Sequence, residues 1–348
     1  MQNILVINLM YIGDLLFATP ALRSLRIAFP EAKITLLADK KNAAVVRHNR
    51  HISEIIEIDK KGYHAKLPHF IELIQELRQK KFDLVINLHR NERSSALAAF
   101  SGGKKIIGFS KPGFHFFFDQ VIEERTDIHQ VDAYLEVLKS VGIPLANEGL
   151  EMEVDEASKE KAEALWYEVF PEDLPHFSVV GLNTGGSWPT KRWSKEGFAV
   201  LADSLLESGY GVAFFGGPMD LADVTAILAL MQHANSKRLA IFTGKTTLLE
   251  MAALVQRCRV LVTGDSGPMH IAVSQKVPVI ALFGPSDPIR YAPYHQQDAV
   301  IVSARDCLAC GQHSCSGHEC MKEIEAKTIL AKVEQRLERH DKRESRQK

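Results

Sequence analysis

Short apolar runs alternate with amphipathic segments along most of this chain, and that alternation limits the possible folds more than any single motif does. "NILVIN" (3–8), "KITLLAD" (33–39), "EIIEID" (54–59), "FDLVINLH" (82–89) and "KIIGF" (105–109) read as strands. Between and after them, "DLLFATPALRSLRIAFP" (14–30), "FIELIQELRQKK" (70–81) and "QVDAYLEVLKSVG" (130–142) have helical spacing. Strands that are apolar throughout are buried on both faces. Strands alternating with helices therefore predict parallel sheets with helices packed on either side.

The pattern breaks once. "IPLANEGLEMEVDEASKEKAEAL" (143–165) is acidic and has few large apolar residues. The alternation then restarts with "FSVVGLNTGG" (177–186), "YGVAFFGGP" (210–218), "RVLVTGD" (259–265) and "VPVIALFGP" (277–285). At 348 residues two cores are expected. The expected division is an N-terminal α/β domain over 1–150, a linker over 151–175, a second α/β domain over 176–325, and a helix with a frayed basic tail over 326–348. Two such halves facing a cleft would place a ligand at the strand C-termini of both.

The totals exclude some classes. A net charge of −1 gives no reason to expect nucleic acid as a partner. No stretch approaches the ~20 apolar residues of a membrane span. The N-terminus runs straight into a strand without a basic leader, so a cytoplasmic protein is the expectation.

Two common nucleotide motifs are missing. "TGKTT" (243–247) lacks the first glycine of a P-loop, since position 239 is Leu239. The first strand–helix turn, "NLMYIGD" (8–14), has one glycine and cannot be a dinucleotide fingerprint.

Four other loops carry chemistry. Asp14 sits where the first strand meets the first helix. It reads as a helix cap, or as a general base at a cleft. "NTGGSWPTKRWS" (183–194) combines Thr184, Gly185, Gly186 and Lys191, a turn that lets backbone N–H groups and one cation approach an anion. "FFGGPMD" (214–220) ends a strand in glycines, with Asp220 either a cap or an acceptor for a ribose. "TGDSGPMHIA" (263–272) opens a helix near Pro268. Its N-terminal dipole suits a diphosphate, with Asp265, Ser266, Gly267 and His270 beside it. A capped surface helix explains Asp265 or Ser266 but not the whole set.

In the first half, His89, Arg90, Arg93, Lys111, Arg125 and His129 follow strands or lie on loops. Singly they read as solvated charges. As a group they suit an anionic acceptor, with His89, Arg93 and His129 the candidates. Near the C-terminus, "CLACGQHSCSGHEC" places Cys307, Cys310, Cys315 and Cys320 at C-x2-C-x4-C-x4-C spacing. These thiols suit either a structural zinc or iron clip or reduced, partly oxidised cysteines.

"ILVINLMYIGDLLFATPALRSLRIAFPEAKITLLAD", "NTGGSWPTKRWS" and "VTGDSGPMHIAVSQKVPVIALFGPSDP", in this order, resemble the heptosyltransferase family of lipopolysaccharide synthesis, glycosyltransferase family 9. The resemblance runs from about residue 3 to about residue 325. It implies a GT-B fold of two Rossmann-like domains with the site in the cleft between them. It also implies transfer of heptose from ADP-heptose to a lipid-linked core oligosaccharide, with inversion and no catalytic metal. Asp14 matches the family's base and Lys191 its diphosphate-neutralising cation. Asp265, Ser266, Gly267 and His270 match the donor loop, and Thr246 falls near the base pocket. Where some members carry a glutamate for the ribose this chain has Asp220, and where some carry two threonines it has Thr184, Gly185 and Gly186. The resemblance further implies peripheral contact with the inner face of the inner membrane. The alternatives are a GT-B transferase with another nucleotide-sugar donor and a non-catalytic nucleotide-sugar-binding protein.

Overall fold

The computed structural model describes residues 1–170 and 178–347, with side chains described as far as Glu338. The chain divides into two compact units, Met1–Glu153 and Val154–Lys348.

Unit 1 runs β1 (Asn3–Asn8), α1 (Ile12–Phe17), α2 (Thr19–Ala28), β2 (Lys33–Asp39), β3 (Glu54–Ile58), α3 (Leu67–Gln79), β4 (Leu84–Asn87), α4 (Glu92–Phe100), β5 (Ile106–Gly108), β6 (Gln120–Val121) and α5 (Gln130–Lys139). Its strands are parallel, in the order β3-β2-β1-β4-β5-β6. Strand order reverses between β1 and β4, where Ile7 faces Asn87. In a doubly wound sheet that is the point at which loops open a crevice for a ligand. Leu5, Ile7, Leu37, Phe82, Val85 and Leu97 are among the buried side chains of one face. Each such burial is worth about 1.5–3 kcal/mol, which is why the strands read as unbroken apolar runs.

The single helix expected over 14–30 is two helices. Pro20 has no N–H to give Leu16 O, and its ring crowds that turn. Thr19 Oγ1 donates to Leu16 O instead, at 2.7 Å. The chain restarts one residue later as α2, with Pro20 in its first turn.

Unit 2 runs α6 (Glu156–Val169), β7 (Val179–Asn183), α7 (Lys195–Glu207), β8 (Gly211–Phe215), α8 (Leu221–Leu230), β9 (Leu239–Ile241), α9 (Leu248–Gln256), β10 (Val260–Gly264), α10 (Gly267–Ser274), β11 (Val279–Phe283), α11 (Pro288–Tyr291), β12 (Val300–Val302), α12 (Glu319–Lys322) and α13 (Ala326–Gln347). Its order, β12-β11-β10-β7-β8-β9, is again the doubly wound one, with the switch between β7 and β10. Two sheets of this kind are the Rossmann-like pair that the sequence predicts.

Part of the expected linker is helix α6. Asp155 caps it by accepting the Ser158 N–H at 3.0 Å, and it packs on α9. Its low apolar content is that of a helix burying one narrow stripe: Ala162 is buried, and Trp166 stacks on Phe242. Residues 171–175 of that expected linker, and the first two of the expected second domain, lie outside the described residues. The C-terminal helix is α13. Ile329, Val333 and Leu337 enter the unit 2 core, and the helix continues to Gln347.

Candidate active site

The switch point of unit 2 gathers the residues that the sequence singles out. Asn183, the last residue of β7, faces Thr263 of β10 in register, and its Nδ2 donates to Thr263 Oγ1 at 2.9 Å and to Ser266 Oγ at 3.2 Å. These bonds tie the ends of the two central strands together. The turn after β7 then crosses β10. A Cβ on Gly264 would sit 2.8 Å from the Lys191 carbonyl oxygen, so only glycine allows this approach. Lys191 thereby reaches the residue after Gly264: its Nζ lies 2.5 Å from Asp265 Oδ2, with both side chains largely buried. The same Nζ lies 4.2 Å from the centre of the Trp188 ring, a cation–π contact. His270 is buried in the first turn of α10, with Nε2 4.0 Å from Asp265 Oδ1.

The helix-cap reading of the 263–272 stretch does not hold. Ser266 occupies the cap position of α10, but no side chain caps that N-terminus, because its hydroxyl is bonded to Thr263 and Asn183. The positive end of the helix dipole is left facing the buried Lys191–Asp265 pair. Orphan amides plus a cation make an anion site.

Asp220 caps the short turn that precedes α8 and not α8 itself. Its Oδ2 accepts the N–H of Gly217, the residue before the turn Pro218–Asp220, at 2.9 Å, and no side chain caps α8. It packs directly on Gly185, where a Cβ would come within 2.6 Å of Oδ2. That is the physical reason for glycine at 185. Arg192, which sequence reasoning passed over, organises this wall. It lies 3.3 Å from Asp220 Oδ1, pairs with Asp223 and donates to the Gly186 carbonyl. A cavity of about 330 Å³ opens beside the turn, lined by Thr184, Arg192, Trp193, Lys195, Asp223 and His318. Lys191 and Asp265 do not line it.

Five buried polar atoms at the strand ends of this sheet have no hydrogen-bond partner among the described residues: Asn183 Oδ1, Thr184 Oγ1, Thr243 Oγ1, Ser286 Oγ and Ser303 Oγ. Buried atoms of this kind cost about 1–3 kcal/mol each unless a ligand or water meets them. Asn183, Thr243, Ser286 and Ser303 were missed in the sequence; their place at or just after strand ends was the available signal. Thr246, the expected base-pocket residue, lies in the half-buried turn before α9, whose cap is Thr247.

Unit 1 presents its own switch point. Asp14 is buried in the first turn of α1, three residues after the cap position. Its Oδ2 accepts the Tyr11 N–H at 3.3 Å, and its backbone carbonyl accepts from Asn8 Nδ2 at 3.1 Å. His89 follows β4 and lies 3.0 Å from Asn91 Nδ2. Burial, with the Lys60 charge, lowers its pKa to about 4, so it is neutral at pH 7 and offers an acceptor only a hydrogen bond. Arg93 donates to the Lys60 carbonyl at 2.8 Å and stacks on Phe70. His129 caps α5, its Nδ1 accepting the Val131 N–H at 3.1 Å, edge-on to Phe17. Lys60 reaches the turn after β1, its ammonium paired with Asp39 at 2.7 Å and donating to the Leu9 carbonyl.

Among the described residues no three His, Cys, Asp or Glu side chains gather as a metal ligand set. The zinc or iron clip expected of Cys307, Cys310, Cys315 and Cys320 is therefore not what this structure shows. Cys320 is buried beneath Gly284, while the other three are exposed. The reason is local. The segment is drawn onto the turns after β7 and β11 by backbone and histidine contacts, among them Ala309 N–H to Gly284 O at 2.9 Å and Gly311 N–H to Pro285 O at 2.8 Å.

The model of glycosyltransferase family 9 (heptosyltransferase) matches residues 70–321. The chain is 27% identical to the lipopolysaccharide core heptosyltransferase OpsX of Haemophilus influenzae, over 86% of this chain and 84% of that protein. A family 9 glycosyltransferase of Veillonella parvula superposes with a TM-score of 0.87 at 34% identity, covering 97% of each chain. The Escherichia coli ADP-heptose lipopolysaccharide heptosyltransferase II superposes with a TM-score of 0.77 at 22% identity, over 98% of this chain and all of that one.

Proposed function

Because the chain belongs to glycosyltransferase family 9, the heptosyltransferases, and is a glycosyltransferase, we propose that it moves heptose from ADP-heptose to a lipopolysaccharide core acceptor with inversion. The observation that carries this reading is the buried Lys191–Asp265 pair beside the uncapped N-terminus of α10. Donors of this kind, aimed at a leaving diphosphate, are each worth about 3–4 kcal/mol of barrier.

In the proposed reaction the acceptor hydroxyl oxygen attacks the anomeric carbon on the face opposite the diphosphate. A carbon–oxygen bond forms as the bond to the ADP oxygen breaks. Asp14 takes the hydroxyl proton. Lys191 and the first turn of α10 take up the charge that develops on the departing ADP. Asp265 or His270 contacts the sugar, and Thr184, Gly185, Gly186, Asp220 and Thr246 border the nucleotide. The resemblance implies no catalytic metal.

The acceptor is lipid-linked on this reading, which calls for contact with the inner face of the inner membrane. The turn Pro112–Phe117 supports it. Phe116 is 97% exposed, and Phe117, also exposed, makes an edge contact with the partly exposed Phe100. Lys111 precedes this aromatic cluster, and such a surface suits an anionic lipid interface.

One observation favours the non-catalytic alternative: Asp14 has a structural role in accepting the Tyr11 N–H. Asp14→Asn separates the two. Asparagine keeps the acceptor and the turn but cannot take a proton. Release of ADP from ADP-heptose in the presence of heptose-deficient lipopolysaccharide should fall by about 10²- to 10⁴-fold with the unfolding midpoint unchanged. Full activity in that variant removes Asp14 as the base.

A further inference from the structure

The segment bearing the cysteines touches the Lys191 turn at three points. The His313 ring stacks on Trp188, with centroids 3.7 Å apart and planes 26° from parallel. Thr190 Oγ1 donates to the Gln312 carbonyl at 2.7 Å. His318 Nε2 lies 2.5 Å from the Thr190 carbonyl oxygen. Trp188 and Thr190 flank Lys191 within one short turn, in which the Lys191 N–H donates to the Trp188 carbonyl at 3.1 Å. The Trp188 ring thus carries both the His313 ring and the Lys191 ammonium.

His318 sits in the left-handed region at φ 51°, in the residue after Gly317. A non-glycine residue there costs about 1–2 kcal/mol and persists only where surrounding contacts hold it. Those contacts are the Thr190 carbonyl on one side and Cys315 Sγ, 3.3 Å from the His318 N–H, on the other. The strained backbone is what aims the imidazole at the Lys191 turn.

We propose that His313 and His318 are positioning residues for Lys191, acting through Trp188 and Thr190. A lysine side chain has four rotatable carbons and a point charge. Its value to a diphosphate depends on where the turn beneath it is held. Displacement by about 1 Å can cost about 100-fold in rate. The segment 309–318, pinned to Gly284 and Pro285, supplies the fixed surface against which the turn rests. This rests on the reading of Lys191 as the diphosphate cation.

The test uses the full chain, with ADP binding by calorimetry and transfer kinetics in parallel. His313→Ala combined with His318→Gly removes the stack and the hydrogen bond while easing the backbone. It should weaken ADP binding and lower kcat, each by about tenfold or more, without shifting the unfolding midpoint downward. His313→Phe with His318→Gln restores a ring and a donor, and should recover most of the loss. In a Lys191→Ala background the histidine changes should add nothing, which a merely structural role would not predict. Wild-type ADP affinity and kcat in the histidine variant, or losses that add fully to those of Lys191→Ala, overturn the proposal. If Lys191→Ala itself binds ADP as well as wild type, the donor reading falls as well; if it binds weakly while the histidine variant binds normally, only the positioning role falls.

Discussion

Lys191 and Asp265, 74 residues apart in the chain, meet at 2.5 Å as a largely buried ion pair at the switch point of the second sheet. Breaking a pair of this kind by removing one partner strands the other charge, at a cost of about 3–5 kcal/mol. Lys191→Met should therefore lower stability by about that amount as well as weaken ADP binding. Adding Asp265→Asn should recover part of the stability but none of the binding. Urea unfolding midpoints of the two variants, with ADP titrations, check both halves. Equal stability of the single and double variants would mean that the pair is not coupled.

Glu151 closes unit 1 by a similar device. Its Oε2 lies 2.5 Å from Arg23 Nη2, and His51 Nε2 lies 3.1 Å from Oε1. Burial opposes its ionisation, but the neighbouring His51 and Arg23 side chains outweigh that and hold its pKa at about 2. A depressed carboxylate stabilises the fold above its unfolded value and loses that contribution as pH falls through the folded one. Glu151→Gln should cost about 3 kcal/mol at pH 7, and the deficit should shrink between about pH 4.5 and pH 2. Stability measured against pH for both proteins tests this; a deficit constant with pH would argue against it.

The thiols should fall into two groups. Cys307, Cys310 and Cys315 are exposed, whereas Cys258 and Cys320 are buried. Burial pushes the Cys258 thiol far up, and burial with the neighbouring cysteines raises Cys320. A disulfide reagent at pH 8 should titrate three thiols rapidly in the native reduced protein and the remaining two only on unfolding. Protection of all four clustered thiols, released by a chelator, would restore the metal clip.

Phe116 buries almost nothing at the tip of its turn, whereas Phe117 is about half exposed and rests on Phe100. Phe116→Ser should leave the unfolding midpoint within about 0.5 kcal/mol of wild type while reducing sedimentation with anionic phospholipid vesicles. Unchanged vesicle binding would move the lipid contact elsewhere.

The two sheets were legible because parallel strands covered on both faces read as continuous apolar runs, so β1, β2, β7, β10 and β11 stand out in composition alone. The glycine-rich turns were legible because backbone approach demands small residues. Other elements were not. α6 buries so narrow a stripe that its sequence reads as a linker, and the helix break before Thr19 depends on one hydroxyl replacing one N–H.

Within the site, the residue types of Asp14, Lys191, Asp265 and His270 and their places after strands come from the chain order. Which of them touch was decided only by the tertiary structure. Gly264 lets the Lys191 turn cross β10, Arg192 gathers Asp220 and Asp223, and the histidines at 313 and 318 come to rest on Trp188 and Thr190. Local sequence sets backbone preference and side-chain chemistry. Contacts between residues about 30 to 130 positions apart exist only once sheet order has brought their loops to the same strand ends.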